Sequence, residues 1–244
     1  MEKVLLLGNE AVARGLYEAG VTVVSAYPGT PSTEITESAC KYDEIYTEWA
    51  PNEKVAFEVA FGASMAGARA FCAMKHVGLN VAADPLYTAS YIGVNGGMVC
   101  AVADDPGMHS SQNEQDSRRH AIASKVPMLE VSDSAECLDF TKKAFDLSEE
   151  FDTPVLLRLT TRISHSRSPV ALSERLNFEK KPYRKDVMKN VMMPAMARGA
   201  HVKVEERLKK LTEWADTTAF EWGINKKIMF DRKIGVIAAG SCYV

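Results

Sequence analysis

No two cysteines in this 244-residue chain stand close enough to form a CxxC pair; the five lie at Cys40, Cys72, Cys100, Cys137 and Cys242. An odd, scattered set with apolar neighbours reads as reduced, buried thiols rather than disulfides. Its spacing fits no iron–sulfur cluster, and the five dispersed histidines offer no zinc pair. Long hydrophobic runs are missing too. Val99–Ala103 is typical of the longest, far short of the roughly 20 residues that span a bilayer. Met1-Glu2-Lys3 passes straight into a strand-like run, without the architecture of a signal peptide. A formal net charge of -3 leaves neither a basic footprint for nucleic acid nor a basic membrane-surface helix. The expectation is a soluble cytoplasmic protein with no nucleic-acid or membrane partner. With 46% hydrophobic residues, it can bury a sizeable core.

The first 160 residues alternate helical and strand signals, the pattern of an α/β fold with a mainly parallel sheet. After the apolar run Val4–Leu7, a helix is expected over Glu10–Ala19, stopped by Gly20. Strands are expected at Val21–Ala26, Ile45–Trp49, Ala70–Met74, Val99–Ala103, Pro127–Val131 and Pro154–Leu159, about six in all. Thr30 reads as the cap of a helix with Pro31 in its first position, and Asn52 as the cap of an alanine-rich helix running to about Ala68. A further amphipathic helix follows over Ala135–Phe151. Residues 166–232 read as a basic, proline-punctuated linker plus an amphipathic helix, Val202–Trp222, with Leu208, Leu211 and Ala215 on its apolar side. Ile234–Ala239 reads as the first strand of a second α/β domain, 233–244, whose remainder lies outside the chain.

Three strand ends lead into polar loops: Tyr27-Pro28-Gly29-Thr30-Pro31-Ser32-Thr33, Met74-Lys75-His76-Val77-Gly78-Leu79-Asn80, and Ala103-Asp104-Asp105-Pro106-Gly107-Met108-His109. Each alone is an ordinary turn. Together, on one edge of an open sheet, they favour a binding rim. Glu53 stands in the first turn of the alanine-rich helix, where the helix dipole alone would favour a carboxylate. Gly62 and Gly67 in the same helix each cost roughly 1 kcal/mol against alanine, a cost usually offset by close approach of a backbone or cofactor. Glu58, about 140° further round the helix, is the second choice for a ligand-facing carboxylate. A nucleotide-binding Rossmann reading is weak, because Gly8-Asn9-Glu10-Ala11 lacks the close glycine spacing.

At these residues the chain resembles the 2-oxoacid:ferredoxin oxidoreductases. The spacing of Glu53, Gly62, Gly67 and Gly78 is similar to that family's pyrimidine-domain pattern, and Tyr27–Ser32 to its Tyr-Pro-x-Thr-Pro-Ser loop. Met74–Ala82 and Ala103–Gln112 look like signatures of its indolepyruvate branch. The resemblance runs almost continuously from Leu5 to His165. It implies a three-layer thiamine-diphosphate-binding fold of the pyrimidine type over residues 1–165.

It also implies the site. Glu53 would be the catalytic carboxylate, hydrogen-bonded to the pyrimidine ring of thiamine diphosphate, with Tyr27, Pro28, Gly78 and Asn80 also lining the cofactor. Thr30, Lys75, His76 and His109 would face the substrate. The activity implied is oxidative decarboxylation of an aryl 2-oxoacid such as indolepyruvate to an acyl-coenzyme A, with ferredoxin reduced. Two departures matter. The arginine that the pyruvate enzymes place near Val99–Ala103 to hold the substrate carboxylate is replaced by an apolar run, suited to an aryl side chain. The Gly-Asp-Gly element that carries Mg²⁺ and diphosphate is absent, so Mg²⁺ and [4Fe-4S] clusters are expected outside this chain, which holds half a cofactor site. Expected partners are the pyrophosphate-binding domain of the same subunit or of a second copy, a beta subunit, ferredoxin and coenzyme A, in an oligomer. The alternatives are a pyruvate- or 2-oxoglutarate-type subunit, a non-oxidative decarboxylase, and a non-catalytic assembly module.

Overall fold

The computed structural model describes residues 3–231 and 233–243. Six parallel strands form the central sheet: β2 (Val23–Ala26), β3 (Tyr46–Trp49), β4 (Ala70–Lys75), β5 (Met98–Asp104), β6 (Met128–Glu130) and β7 (Val155–Thr160). Their order is β3-β2-β4-β5-β7-β6. The six expected strands are these six, shifted by one or two residues at their ends. β1 (Lys3–Leu7) stands apart and pairs antiparallel with β8 (Arg167–Ala171), a strand that falls inside the expected linker.

Strand side chains alternate between the two faces of the sheet, and helices cover both. On one side Phe71, Ala73, Val99, Ala101 and Leu157 pack under α1 (Gly8–Glu18), α2 (Thr33–Ala39) and α7 (Ser134–Phe151). On the other, Cys72, Met74, Cys100, Val102 and Leu156 pack under α3 (Glu53–Met65), α4 (His76–Val81) and α5 (Ala83–Ile92). The alternation makes the three layers. Each fully buried large side chain, such as Phe57 or Phe71, stabilises by about 1.5–3 kcal/mol.

Local chemistry sets the helix starts. Asn52 Oδ1 accepts from the Val55 N–H at 3.0 Å and opens α3. Asp133 does the same for α7 through the Glu136 N–H at 2.8 Å. Thr30 and Pro31 do not begin α2 as expected. The Ser32 hydroxyl donates to the Gly29 carbonyl at 2.8 Å and the Gly29 N–H donates to Thr33 Oγ1 at 2.9 Å, so the loop closes on itself and the helix starts at Thr33. The Thr30–Pro31 bond is cis.

Two further expectations change. Beyond Lys75 the chain is not a loop but α4 and α5, because Leu79, Ala82, Leu86 and Ala89 recur at helical spacing and bury together. The late amphipathic helix is longer than expected. α10 (Pro194–Asp216) buries Ala200, Val204, Leu211 and Trp214, whereas Leu208 is exposed. Thr217, at φ -130° and ψ -84°, separates it from α11 (Thr218–Glu221). The remaining helices are α6 (Arg118–Ser124), α8 (Thr161–His165) and α9 (Val187–Asn190). Residues 234–239 pair with no strand among the described residues, and Val236 is 83% exposed. No helix is long and apolar enough to cross a membrane among the described residues.

Candidate active site

The strand order places a topological switch at β2. The chain goes from β2 out to β3 at the edge, then returns to β4 on the other side. Crevices at such reversals, beyond the carboxyl ends of the strands, are where open α/β sheets bind ligands. β2 ends in Tyr27–Pro31, and β4 ends in Lys75–Gly78.

Glu53 reaches this crevice because of helix direction. α3 begins beyond the carboxyl end of β3 and runs back to the start of β4, so its first turn lies on the rim. The Glu53 side chain lies against Gly78: a Cβ on Gly78 would fall 2.5 Å from Glu53 Oε1 and 2.6 Å from its Cγ. Glu53 is half-buried, and no protein group among the described residues donates a hydrogen bond to its carboxylate. Glu58 is exposed. Lys54 binds Asp84 at 2.8 Å and ties the first turn of α3 to α5.

Lys75 joins the three loops. Its stem lies across Gly29, where a Cβ would fall 3.2 Å from Lys75 Cγ, and its Nζ donates to the Ser110 carbonyl at 3.1 Å. His76 is 0% exposed; its Nε2 lies 3.0 Å from the Asn113 carbonyl, and its Nδ1 has no partner. Tyr27, Pro28, Thr30 and His109 are exposed along the same rim. Asn80 is exposed and its Oδ1 lies 3.1 Å from His120 Nε2, which links α4 to α6. Thus Glu53 meets Gly78 directly, and Lys75 meets both the Tyr27–Pro31 loop and the loop that carries His109.

The sequence reading missed the groups that hold these loops in place. Asn9, fully buried in α1, donates to the Pro31 carbonyl at 2.8 Å. Asp104 and Asp105 read as loop residues but are buried. Asp104 pairs with Arg158 at 2.7 Å, and Arg158 continues to Glu130 at 2.9 Å. Asp105 accepts from the Ser110 N–H and the Ser111 hydroxyl at 2.8 Å each and from the Thr161 hydroxyl at 2.7 Å. Burial opposes its charge, but these donors outweigh burial and hold the carboxyl well below the usual carboxylate range. Two acids directly after an apolar strand were the available signal. The run Val99–Ala103 is core on both faces of the sheet and says nothing about the substrate. Exposed aromatic surface comes instead from Tyr27 and Trp49, beyond and at the ends of the neighbouring strands β2 and β3.

A cavity of about 880 Å³ opens elsewhere, beside edge strand β6 and Trp214, and none of the expected site residues lines it. Among the described residues, no cluster of three or more His, Cys, Asp or Glu side chains could hold a metal ion. The Glu53 crevice does fit the pyrimidine end of thiamine diphosphate. It offers a half-buried acceptor with no protein donor among the described residues and bare backbone at Gly78 beside it.

The family model for the thiamine-diphosphate-binding part of pyruvate flavodoxin/ferredoxin oxidoreductases matches residues 14–216. Indolepyruvate oxidoreductase subunit IorA of Archaeoglobus fulgidus is 46% identical over 99% of this chain and 40% of its own length. The Pyrococcus horikoshii subunit of the same name is 47% identical over 99% of this chain and 38% of its own. The chain therefore spans about two fifths of the length of these relatives. In fold it is similar to a solved 2-oxoglutarate:ferredoxin oxidoreductase from Magnetococcus marinus, with a TM-score of 0.70 and 19% identity over 87% of this chain and 45% of that one. The chain belongs to the pyruvate flavodoxin/ferredoxin oxidoreductase family, in its thiamine-diphosphate-binding part.

Proposed function

We propose that this chain is the pyrimidine-binding portion of an indolepyruvate-type 2-oxoacid:ferredoxin oxidoreductase. The observation that carries the reading is the Glu53 carboxylate set against Gly78 at the sheet's switch point, without a protein donor among the described residues. When bound, thiamine diphosphate supplies the carbon nucleophile and the electron sink for 2-oxoacid decarboxylation. Glu53 accepts the pyrimidine ring N–H and so fixes the tautomer of that ring. Gly78, lacking a side chain, keeps Glu53 in its place, while Tyr27, Pro28 and Asn80 border the same ring. Thr30 and His109 face the substrate, and the exposed Tyr27 and Trp49 rings suit an aryl side chain.

In this reading residues 1–165 form the cofactor domain, 166–232 a strap with its helix, and 233–244 the lead into a further α/β domain. Mg²⁺, the diphosphate site and [4Fe-4S] clusters belong to polypeptide outside this chain, either the rest of the subunit or a second copy. A beta subunit, ferredoxin and coenzyme A complete an oligomeric cytoplasmic enzyme. The test is Glu53→Gln in the complete enzyme. Turnover should drop at least about a hundredfold with the circular dichroism spectrum unchanged; turnover near the wild-type value refutes the assignment.

A further inference from the structure

A 2-oxoacid brings a carboxylate into the crevice, and the sequence alone leaves Lys75 and His76 open as its partner, with His109 also expected to face the substrate. The structure separates them. His76 is fully buried, with its Nε2 spent on the Asn113 carbonyl. His109 is exposed and lies over Gly107, where a Cβ would stand 3.4 Å from its Nε2. Arg118 and Arg158 are committed to Glu130, and Arg158 also to Asp104, whereas Arg119 and Arg162 are exposed. Lys54 is committed to Asp84.

Lys75 differs from all of these. It ends β4 at the switch point, half-buried, with its stem laid across Gly29 and its ammonium anchored at a known place by one carbonyl, Ser110 O at 3.1 Å. An ammonium carries three N–H donors, so two remain. Among the described residues no carboxylate pairs with it. A cation fixed by packing at one end and by a neutral acceptor at the other has already lost much of its side-chain freedom, which lowers the entropic cost of gripping an anion.

We infer that Lys75 binds the carboxylate of the 2-oxoacid substrate by charge-assisted hydrogen bonds. The inference rests on the proposed function above and adds the group that selects an acid over an uncharged carbonyl compound. Gly29 belongs to the same device: a Cβ there would stand 3.2 Å from Lys75 Cγ and 3.3 Å from Cδ, so the stem would have to give by a few tenths of an ångström.

The test uses the complete enzyme with indolepyruvate. Lys75→Met should raise KM about 10–100-fold, the loss expected for a hydrogen bond between charged groups, while Lys75→Arg stays within about tenfold of wild type. Thiamine diphosphate affinity, followed by fluorescence titration, should change less than about twofold in Lys75→Met, which a merely structural role would not spare. A measurement on the unaltered enzyme runs in parallel. Indole-3-propionate should inhibit about tenfold more tightly than indole-3-propionamide, and Lys75→Met should erase that preference. An unchanged KM in Lys75→Met, equal inhibition by acid and amide in the wild type, or loss of cofactor affinity in the variant each overturns the inference. Glu53→Gln separates the two levels. If that variant is inactive while Lys75→Met binds substrate normally, the carboxylate has another partner; if Glu53→Gln is fully active, both readings fall together.

Discussion

Gly78→Ala is a small change that the structure turns into a sharp experiment. The added Cβ would stand 2.5 Å from Glu53 Oε1, 2.6 Å from Cγ and 2.9 Å from Cδ. Ordinary contact needs about 3.5 Å, so the carboxylate has to retreat by about 1 Å. Misplacing a catalytic group by about 1 Å can cost on the order of a hundredfold in rate. Stability should move the other way, or not at all. Gly78 sits inside α4, the three atoms nearest the added Cβ all belong to the Glu53 side chain, and alanine is the better helix former by about 1 kcal/mol. In the complete enzyme the variant should therefore lose about a hundredfold in kcat with a melting temperature equal to or above the wild type. The double variant Glu53→Gln/Gly78→Ala should be no slower than Glu53→Gln alone, because the alanine acts only by moving that carboxylate. A Gly78→Ala enzyme with normal kcat, or a double variant slower by the full product of the two effects, refutes the reasoning.

Two predictions concern the supports of the site. Asp105 has a folded-state pKa below its ordinary value, so its contribution to stability is complete above about pH 4 and is lost as pH falls further. Urea melts of wild type and Asp105→Asn should differ most near neutrality and converge in acid; a gap that widens in acid contradicts the assignment. Arg69→Met removes a guanidinium that is 5% exposed and bound to Glu149 at 3.0 Å, to Asp146 at 2.7 Å and to the Ala19 carbonyl at 3.1 Å. It should destabilise by about 3 kcal/mol in denaturant melts, and a change under about 0.5 kcal/mol would show that Lys181 and the Gly97 N–H suffice for Glu149.

Much of the sheet could be read from the sequence because its strands are β-branched or apolar runs cut off by turn residues. The Asn52 cap and the place of Glu53 in the first turn of α3 were equally plain, since both depend on residues three or fewer apart. The α4–α5 segment was obscured by Gly78, Asn80 and Pro85, which read as loop punctuation. Pro85 is in fact tolerated in the first turn of α5, where its missing N–H costs nothing. The cost of the α3 glycines resolves unevenly. Gly67 takes φ +95° just past the end of α3, with the Lys181 carbonyl close by, whereas Gly62 has nothing within 4 Å among the described residues.

The contacts that make the site could not be read in the same way, and the reason is topological. Gly78 is 25 residues from Glu53, and Ser110 is 35 from Lys75. Glu53 and Gly78 meet because the chain leaves β2 for the edge and returns to its other side, whereas Lys75 and Ser110 meet because β5 pairs directly with β4. A run of thirteen residues at 1.5 Å each makes α3 about 20 Å long, enough to carry the chain from beyond the end of β3 back to the start of β4. Had β4 followed on the outer side of β3 instead, the same helix would leave Glu53 at the sheet's edge, and Lys75 would no longer lie against Gly29. The local sequence sets which groups stand at strand ends; the reversal at β2 decides which of those ends share a crevice. A carboxylate and a lysine that find no donor and no acid partner among the described residues come to the same rim through that reversal.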